Sequence, residues 1–426
     1  MRWLPATSRP RAVLCSTLTI GRCSGRCGSA PSSSGWVIGS LRPASCRPSG
    51  TRPWAIRSQQ LWRCCWESTI RLQISWPDDP GDHRGHLRRQ QPGGDPVKFG
   101  LWYDFRNPYQ QPWSDLYEEL LDQIAWSDSA GFESVWLSEH HVTDDGYMPS
   151  VFVMLAAIAS RTQSLRLGTA VCLAPLHHPI RLAEDVAVVD ILSGGRVELG
   201  LAPGYRAFEF EVLGVPRRER GVRTDETVEI LRLAWAGERF SYSGRVFDLQ
   251  DVVVQPVPRR GPELPIHIGG SSSAAAIRAG RHGCGFMPDI GTGTDLHNQY
   301  RLELSRAGFD PESRDITMNG CVFVCDDPDV GRARVHRSLA YMYERYDAWE
   351  REGDSEAAAF EPIDIERLDD LCIIGTPDEV TRRLRAIRDE FSPCRFIFWG
   401  RLPGMPIEDA SRSLRLFADE VMPAIG

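Results

Sequence analysis

The chain of 426 residues carries a formal net charge of −8, with 49 Lys+Arg against 57 Asp+Glu. Residues 1–96 hold 14 Arg and 5 Asp+Glu, whereas the remainder holds 35 Lys+Arg and 52 Asp+Glu. The acidic composition of residues 97–426 argues against a nucleic-acid-binding surface. These residues also contain no apolar run long enough to cross a membrane. We therefore expect a soluble, cytoplasmic protein that binds neither nucleic acid nor membrane.

Residues 1–96 differ from the rest of the chain in composition. They are rich in Arg, Ser, Pro, Cys and Trp, and no apolar period of a helix or strand persists across them. The whole chain has a single lysine, Lys98, which indicates a GC-rich genome, and out-of-frame translation of such DNA yields this mixture. We expect a misassigned start, with Val97 as the true first residue; a transit peptide and a native disordered arm are the alternatives. All three interpretations predict an unstructured extension outside the fold.

From Val97 onward, short apolar strands alternate with amphipathic helices, as is typical of a parallel sheet with crossover helices. Eight strands are predicted, at residues 97–105, 134–137, 165–174, 196–201, 265–268, 286–287, 316–324 and 395–399. Eight strand–helix units in about 330 residues favour a (β/α)8 TIM barrel with insertions over a doubly wound open sheet.

Three stretches interrupt the alternation and are predicted insertions. Residues 206–220 are charged and loop-like, and Thr224 is predicted to cap the helix that follows. Residues 240–255 alternate around a Ser-Gly pair and are predicted to form a hairpin. Residues 350–370 are acidic and weakly patterned, so we expect a mobile lid there.

The second predicted strand runs directly into Glu139, His140 and His141. In a barrel, the active site lies at the carboxyl ends of the strands, where these polar residues fall. Because successive side chains of a strand face opposite ways, His140 and His141 cannot both point into one site. One of the two is expected to be functional and the other structural.

The fifth predicted strand ends in Gly269, Gly270 and Ser271, which precede a helix of small residues. Two glycines permit close approach of a backbone, and the start of the helix offers free N–H groups and a positive dipole end. Such a turn can hold a phosphate, but it is also an ordinary helix start, and both interpretations stay open.

Metal and thiol chemistry are the weaker interpretations of this sequence. A metal could be held by Glu139, His140, His177 and His178, but the first strand lacks the His-x-His motif of metal-dependent barrel hydrolases. No cysteine lies in the setting of a nucleophile. The cysteines of the body are interpreted as thiols of a reducing compartment: Cys172, Cys284, Cys321, Cys325, Cys372 and Cys394.

Several motifs together resemble the bacterial-luciferase-like flavin monooxygenase family. They are KFG at 98–100, VWLSEHH at 135–141, HPIRLAED at 178–185, SGGR at 193–196, GTP at 375–377, and Phe417 with VMP at 421–423. Each motif is weak by itself, but they occur in the right order over residues 97 to about 423.

This resemblance implies a barrel that uses reduced FMN and O2 to oxidise a small organic substrate through a C4a-hydroperoxide. It also implies a separate flavin reductase as the source of the reduced cofactor, and we expect a homodimer. His140 matches the catalytic histidine of the family. The positions that match flavin-contacting strand ends are Glu139, Ala170, Gly204, Tyr205, Gly269, Gly270 and Ser271, with Gly270 and Ser271 near the phosphate. Luciferases proper have Cys-Arg where this chain has Ala202–Pro203, which argues against light emission.

Two further functions remain open at this point. The same barrel could carry a reduced 8-hydroxy-5-deazaflavin coenzyme for hydride transfer without oxygen. It could also be a non-catalytic flavin-binding protein. An intact His140 favours an enzyme over a carrier.

Overall fold

The computed structural model describes residues 97–290, 292–352 and 371–425. Its strands are β1 Lys98–Tyr103, β2 Ser134–Leu137, β3 Arg166–Thr169, β4 Cys172–Leu173, β5 Val197–Ala202, β6 Phe240–Ser243, β7 Asp248–Val252, β8 Ile266–Gly269, β9 Gly285–Met287, β10 Thr317–Gly320, β11 Val322–Val324, β12 Ile373–Gly375 and β13 Arg395–Trp399. Its α-helices are α1 Trp113–Ser129, α2 Val151–Arg161, α3 Pro179–Ser193, α4 Ala207–Val212, α5 Arg220–Trp235, α6 Ser273–Arg281, α7 Thr294–Arg306, α8 Pro328–Arg351, α9 Pro377–Phe391, α10 Ile407–Leu416 and α11 Met422–Ile425.

Eight strands form a parallel barrel in the order β10-β13-β1-β2-β3-β5-β8-β9. Two parallel bridges, Phe286–Ile316 and Asp289–Asn319, join β9 to β10 and close the ring. Helices between consecutive strands cover the outside, so the strand residues are buried on both faces of the sheet. The predicted (β/α)8 TIM barrel is therefore confirmed.

The barrel interior is packed rather than hollow. One buried cluster is formed by residues in or directly after the barrel strands, namely Trp136, Ala170, Met287 and Ile397. A larger buried cluster lies between the strands and the helices. With the interior filled, the carboxyl ends of the strands are the place where loops can build a site.

Two predicted strands are each divided in the structure. The predicted strand 165–174 becomes β3 and β4, with a cis Ala170–Val171 peptide between them. The predicted strand 316–324 becomes β10, which belongs to the barrel, and β11, which leaves it and pairs with β12. The hairpin predicted at 240–255 is confirmed as antiparallel β6 and β7.

The prediction for residues 206–224 is partly wrong. The stretch expected to be a loop contains the short helix α4, and α5 already begins at Arg220. Thr224 is therefore not a cap: it is buried inside α5, where its hydroxyl donates to the carbonyl of Arg220. Thr224 can make this bond within the helix because a threonine hydroxyl reaches the carbonyl four residues earlier.

The interpretation of Cys321 and Cys372 as thiols is also wrong. They form a disulfide, with their Cα atoms 4.5 Å apart. Each precedes one strand of the β11–β12 pair, in which Val322 lies opposite Ile373, so the parallel register brings the two cysteines together.

The helix α8 follows β11 and is the longest helix described, at 24 residues. It crosses the carboxyl ends of the barrel strands, where its Tyr341 hydroxyl donates to Asp145 Oδ2 at 2.8 Å. The lid predicted at 350–370 falls almost entirely on residues 353–370, which lie outside the described residues. None of the described helices combines the length and the apolar character needed to cross a membrane.

Candidate active site

His140 lies at the carboxyl end of β2, and its side chain is held by α4. Its Nδ1 atom is 2.8 Å from Glu209 Oε1, and His140 is only 7% exposed. The same carboxylate oxygen accepts a hydrogen bond from the backbone N–H of His141 at 2.8 Å. Since a carboxylate accepts, we assign the imidazole proton to Nδ1, which leaves Nε2 as the basic nitrogen.

Aromatic rings surround the His140 imidazole. Ring centroids lie 4.7 Å away at Tyr147, 5.6 Å at Tyr205 and 5.0 Å at Trp349. Burial raises the pKa of both tyrosines well above the usual value, so their hydroxyl groups are protonated. The imidazole thus sits in an enclosure of aromatic rings, a setting that excludes water.

Glu139 faces a different set of partners from His140. Its Oε1 lies 2.8 Å from His177 Nε2 and 3.2 Å from His141 Nε2, and its Oε2 accepts from the backbone N–H of Leu173 at 2.6 Å. The side chains of His140 and His141 therefore contact different carboxylates, as the alternation of a strand requires.

Burial and charge act in opposite directions on the Glu139 carboxylate. Burial would raise its pKa, but His177 and His141 outweigh burial and hold the pKa well below the usual range. For His177, burial would lower the pKa, and Glu139 outweighs it, so the net pKa is raised. Glu139 and His177 form an ion pair in which protein donors already occupy both carboxylate oxygens.

Within the described residues, Glu139, His177 and Cys172 form the group whose ligand atoms lie close enough to hold a metal. Burial and then Glu139 raise the pKa of the Cys172 thiol well above its usual value, which opposes the thiolate that binds metal. The four possible metal ligands named from the sequence do not come together. His140 pairs with Glu209, and His178 caps α3 by accepting from Ile180 N–H.

Gly269 and Gly270 lie where β8 leads into α6, and the structure requires glycine at both. A Cβ on Gly269 would lie 2.4 Å from Val171 Cγ1, and Gly270 has φ +129°. Ser272 caps α6 by accepting from Ala275 N–H. Ala276 N–H also donates to Ser272, so a phosphate at the start of α6 would draw on the N–H groups of Ser273 and Ala274.

Ser271 is engaged with a neighbouring carboxylate. Its hydroxyl donates to Asp289 Oδ2 at 2.9 Å, and Asn319 donates to Asp289 Oδ1 at 2.7 Å. Ala170 lies deep in the barrel interior, and Gly204 turns the chain after β5 with φ +70°. The structure thus brings Tyr205 to His140, whereas the carboxylate of Glu139 is turned to other partners.

Arg206 fastens the end of α8 over the site. Its guanidinium donates to both carboxylate oxygens of Glu352, at 2.8 and 2.6 Å, and to the carbonyl oxygen of His141 at 2.7 Å. It also lies over the Trp349 ring, 4.8 Å from the centroid. Because Trp349 covers His140, this contact closes the barrel mouth on that side.

Four residues of this region were missed by the sequence analysis: Arg106, Arg206, Glu209 and Trp349. Arg106 follows β1, so the strand-end rule pointed to its position without assigning it a role. The other three lie on α4, just before it, or on α8. Nothing in the local sequence distinguishes Glu209 from Glu211, because only the fold brings one of them to His140.

The chain matches the family model described as luciferase-like monooxygenase over residues 97–391. The oxygenase component of flavin-dependent trigonelline monooxygenase from Acinetobacter baylyi is 29% identical over 74% of this chain and 91% of the relative. The F420-dependent glucose-6-phosphate dehydrogenase of Microbacterium testaceum is 30% identical over 72% of this chain and 93% of the relative.

Among solved structures, the monooxygenase RslO1 from Streptomyces bottropensis superposes with a TM-score of 0.69 at 28% identity. The match covers 78% of this chain and all of that one. The family model spans most of the barrel, from β1 through α9, and the resemblance inferred from the motifs is confirmed. This chain belongs to the luciferase-like monooxygenase family.

Proposed function

We propose that the protein is a flavin-dependent monooxygenase that uses reduced FMN and O2 to oxidise a small organic substrate. The observation that carries this proposal is the buried His140, whose Nδ1 is fixed by Glu209 among three aromatic rings. The bound reduced flavin would supply the electrons that activate O2. The named relative from Acinetobacter baylyi, a flavin-dependent oxygenase component, supports the same class of reaction.

His140 would hold or move a proton at Nε2. Glu209 keeps the other nitrogen protonated and stabilises a positive charge on the ring when Nε2 takes up a proton. Trp349 and Tyr147 keep water from the imidazole, which protects a reactive oxygen species from side reactions. Tyr205, whose ring also meets His140, would orient the bound group through a protonated hydroxyl.

The residues after β8 fit the phosphate of FMN through their backbone. Gly269 and Gly270 allow close approach, and the start of α6 directs N–H groups outward. The Ser271 hydroxyl is committed to Asp289, so a phosphate would draw on it only by replacing that hydrogen bond. Glu139 would contact the flavin through its backbone atoms, because protein donors occupy both of its carboxylate oxygens.

Oxygen consumption tests this proposal. The full chain is supplied with reduced FMN under air, and FMN oxidation and peroxide release are followed with and without candidate substrates. We expect a substrate to lower peroxide release and to give an oxygenated product. Oxidation of reduced FMN at the rate of free solution, unaffected by the protein, would contradict the proposal.

A second function is supported by one comparison. The relative from Microbacterium testaceum is named as an F420-dependent dehydrogenase and covers a similar share of this chain. The alternative is therefore hydride transfer with a reduced 8-hydroxy-5-deazaflavin coenzyme in the same barrel mouth. His140 would then exchange a proton with the substrate oxygen, and O2 would have no role in turnover.

We further propose a separate flavin reductase as a partner, since the Acinetobacter baylyi relative is named as an oxygenase component. A homodimer is proposed on a different observation. The adjacent helices α2, α3 and α5 leave apolar side chains exposed, among them Val153 (74%) and Leu192 (63%). Light scattering of the full chain tests it, with twice the chain mass expected and one chain mass as the contradicting result.

A further inference from the structure

Arg106 is a buried arginine whose guanidinium has no hydrogen-bond acceptor among residues 97–290, 292–352 and 371–425. It follows β1 directly, and its side chain is fully buried. No residue in the described part of the chain accepts a hydrogen bond from its Nε, Nη1 or Nη2. Asp104 and Asp145 lie at ion-pair distance from Nε, but buried N–H groups without acceptors are costly, so a partner that accepts from them would be stabilising.

The surroundings of Arg106 leave one edge of the guanidinium for such a partner. Aromatic rings cover its faces, with Cζ 4.3 Å from the centroid of Tyr147, 4.8 Å from Tyr346 and 5.0 Å from Trp349. The nearest carboxylate oxygens, of Asp104 and Asp145, approach Nε at 3.5 Å each without a hydrogen bond. Nη1 and Nη2 are buried as well and have no acceptor among the described residues, and a fork of two N–H groups matches a planar carboxylate.

Arg106 belongs to the same enclosure as His140. Both contact the rings of Tyr147 and Trp349, the first in the loop between β2 and α2 and the second on α8. The preceding residue, Phe105, has φ +58°, a left-handed conformation that is unfavourable for a non-glycine residue. Such a conformation is retained where the fold fixes the direction of a functional side chain.

We propose that Arg106 is the anion-binding residue of the substrate site, and that the substrate is a small molecule with a carboxylate group bound to Nη1 and Nη2. This inference rests on the proposed function, because it takes the enclosure around His140 as the place of oxidation. The carboxylate would anchor one end of the substrate and leave another part of it near Nε2 of His140.

Asp104 affects the proposed site because an ionised carboxylate at this position would repel an anion bound to Arg106. Its Oδ2 has no hydrogen-bond partner within the described residues. Burial raises the pKa of Asp104 to about 7, although Arg106 acts against that rise. A protonated or neutralised Asp104 would leave more of the Arg106 charge for the ligand, whereas an ionised Asp104 would compete with it.

The test measures binding to the full chain by calorimetry, without flavin and without turnover. The probes are acetate, benzoate and hexanoate, each compared with its amide. We expect at least one carboxylate to bind more tightly than its amide, and Arg106→Gln to remove that preference by about tenfold or more. Asp104→Asn is expected to strengthen carboxylate binding. Arg334→Gln, which removes an exposed arginine of α8 that pairs with Asp409, is the matched control and should leave binding unchanged.

Three results would overturn the proposal. The first is a wild-type chain that binds no carboxylate better than its amide. The second is an Arg106→Gln variant that keeps the preference or, if that variant does not fold, an Asp104→Asn variant that binds carboxylates no better than the wild type. The third is an Arg106→Gln variant that loses discrimination between FMN and riboflavin, which would assign Arg106 to the flavin phosphate. Because the carboxylate arm needs no flavin, its outcome is separate from that of the proposed oxygenase activity.

Discussion

His140 Nδ1 and Glu209 Oε1 lie 2.8 Å apart, although the two residues are 69 positions apart in the chain. The bond joins the end of β2 to the short helix α4 and fixes which imidazole nitrogen is basic. This pair shares an aromatic enclosure with Arg106 and fixes the imidazole there, so its chemistry should dominate turnover.

Substitution of Glu209 by glutamine should lower turnover, because an amide oxygen stabilises a charged imidazole less than a carboxylate does. We expect a loss of about tenfold or more for Glu209→Gln, and about 10²- to 10⁴-fold for His140→Gln. Glu211→Gln changes an exposed glutamate of the same helix and serves as the control. Equal effects at 209 and 211 would refute the assigned role.

The Glu139–His177 pair predicts a pH window of stability. The pKa of Glu139 is lowered, so its contribution is present above the unfolded value of 4.5 and is lost as pH falls. The pKa of His177 is raised, so its contribution is present below 6.5 and is lost as pH rises through the folded value. The pair therefore stabilises most between these two values.

Denaturant unfolding checks this window with the variant His177→Gln. We expect the wild type to exceed the variant by about 1–3 kcal/mol near pH 6, and the difference to shrink towards pH 9. In NMR titration, Glu139→Gln should lower the pKa of His177, because the main group that opposes burial is then removed and only the smaller effect of Asp185 is left. A stability difference that is constant between pH 6 and pH 9 would be incompatible with the ion pair.

Gly269→Ala should destabilise the barrel, because the added Cβ would lie 2.4 Å from Val171 Cγ1. We expect a loss of about 1–3 kcal/mol in the free energy of unfolding. Val171→Ala should restore most of it when the two changes are combined. Gly293→Ala is the matched control, since nothing lies within 4 Å of its added Cβ. Failure of the double variant to recover stability would show that the Val171 contact is not the cause.

Arg206→Gln should loosen the end of α8, because it removes two hydrogen bonds to Glu352 and the stacking on Trp349. Amide hydrogen exchange in residues 345–351 is expected to rise by about tenfold or more, while exchange in β2 stays unchanged. The control, Arg223→Gln, removes the ion pair between Arg223 of α5 and Glu219, which directly precedes that helix. It should leave α8 unaffected. Unchanged exchange at the end of α8 would mean that Arg206 does not hold it.

The barrel and the position of His140 were predictable because both depend on local pattern. Apolar strands at regular spacing indicate eight units, and a strand that runs into Glu139 and His140 indicates a strand-end site. The partners of His140 were not predictable, since Glu209 lies in a charged stretch beside an equivalent Glu211. Only the packing of α4 on the barrel mouth selects one of them.

Two further features of the structure were not predicted from the sequence, again because they depend on long-range packing. The Cys321–Cys372 disulfide forms because β11 leaves the barrel to pair with β12, and the continuous apolar run 316–324 gave no sign of that division. Glu139 appears from the sequence to accompany His140, but its carboxylate turns to His177, whose position depends on the chain after β4. Arg106 stands apart, because its place after β1 was visible in the sequence and its missing acceptor was not.

The central claim is that the enclosure around His140 receives reduced FMN. The most direct measurement is an anaerobic titration of the full chain with reduced FMN and, separately, with reduced 8-hydroxy-5-deazaflavin coenzyme. We predict saturable binding of reduced FMN that is weakened by changes at Gly270, followed by oxygen-dependent oxidation that responds to His140→Gln. Saturable binding of the deazaflavin alone, with no binding of reduced FMN, would contradict the account.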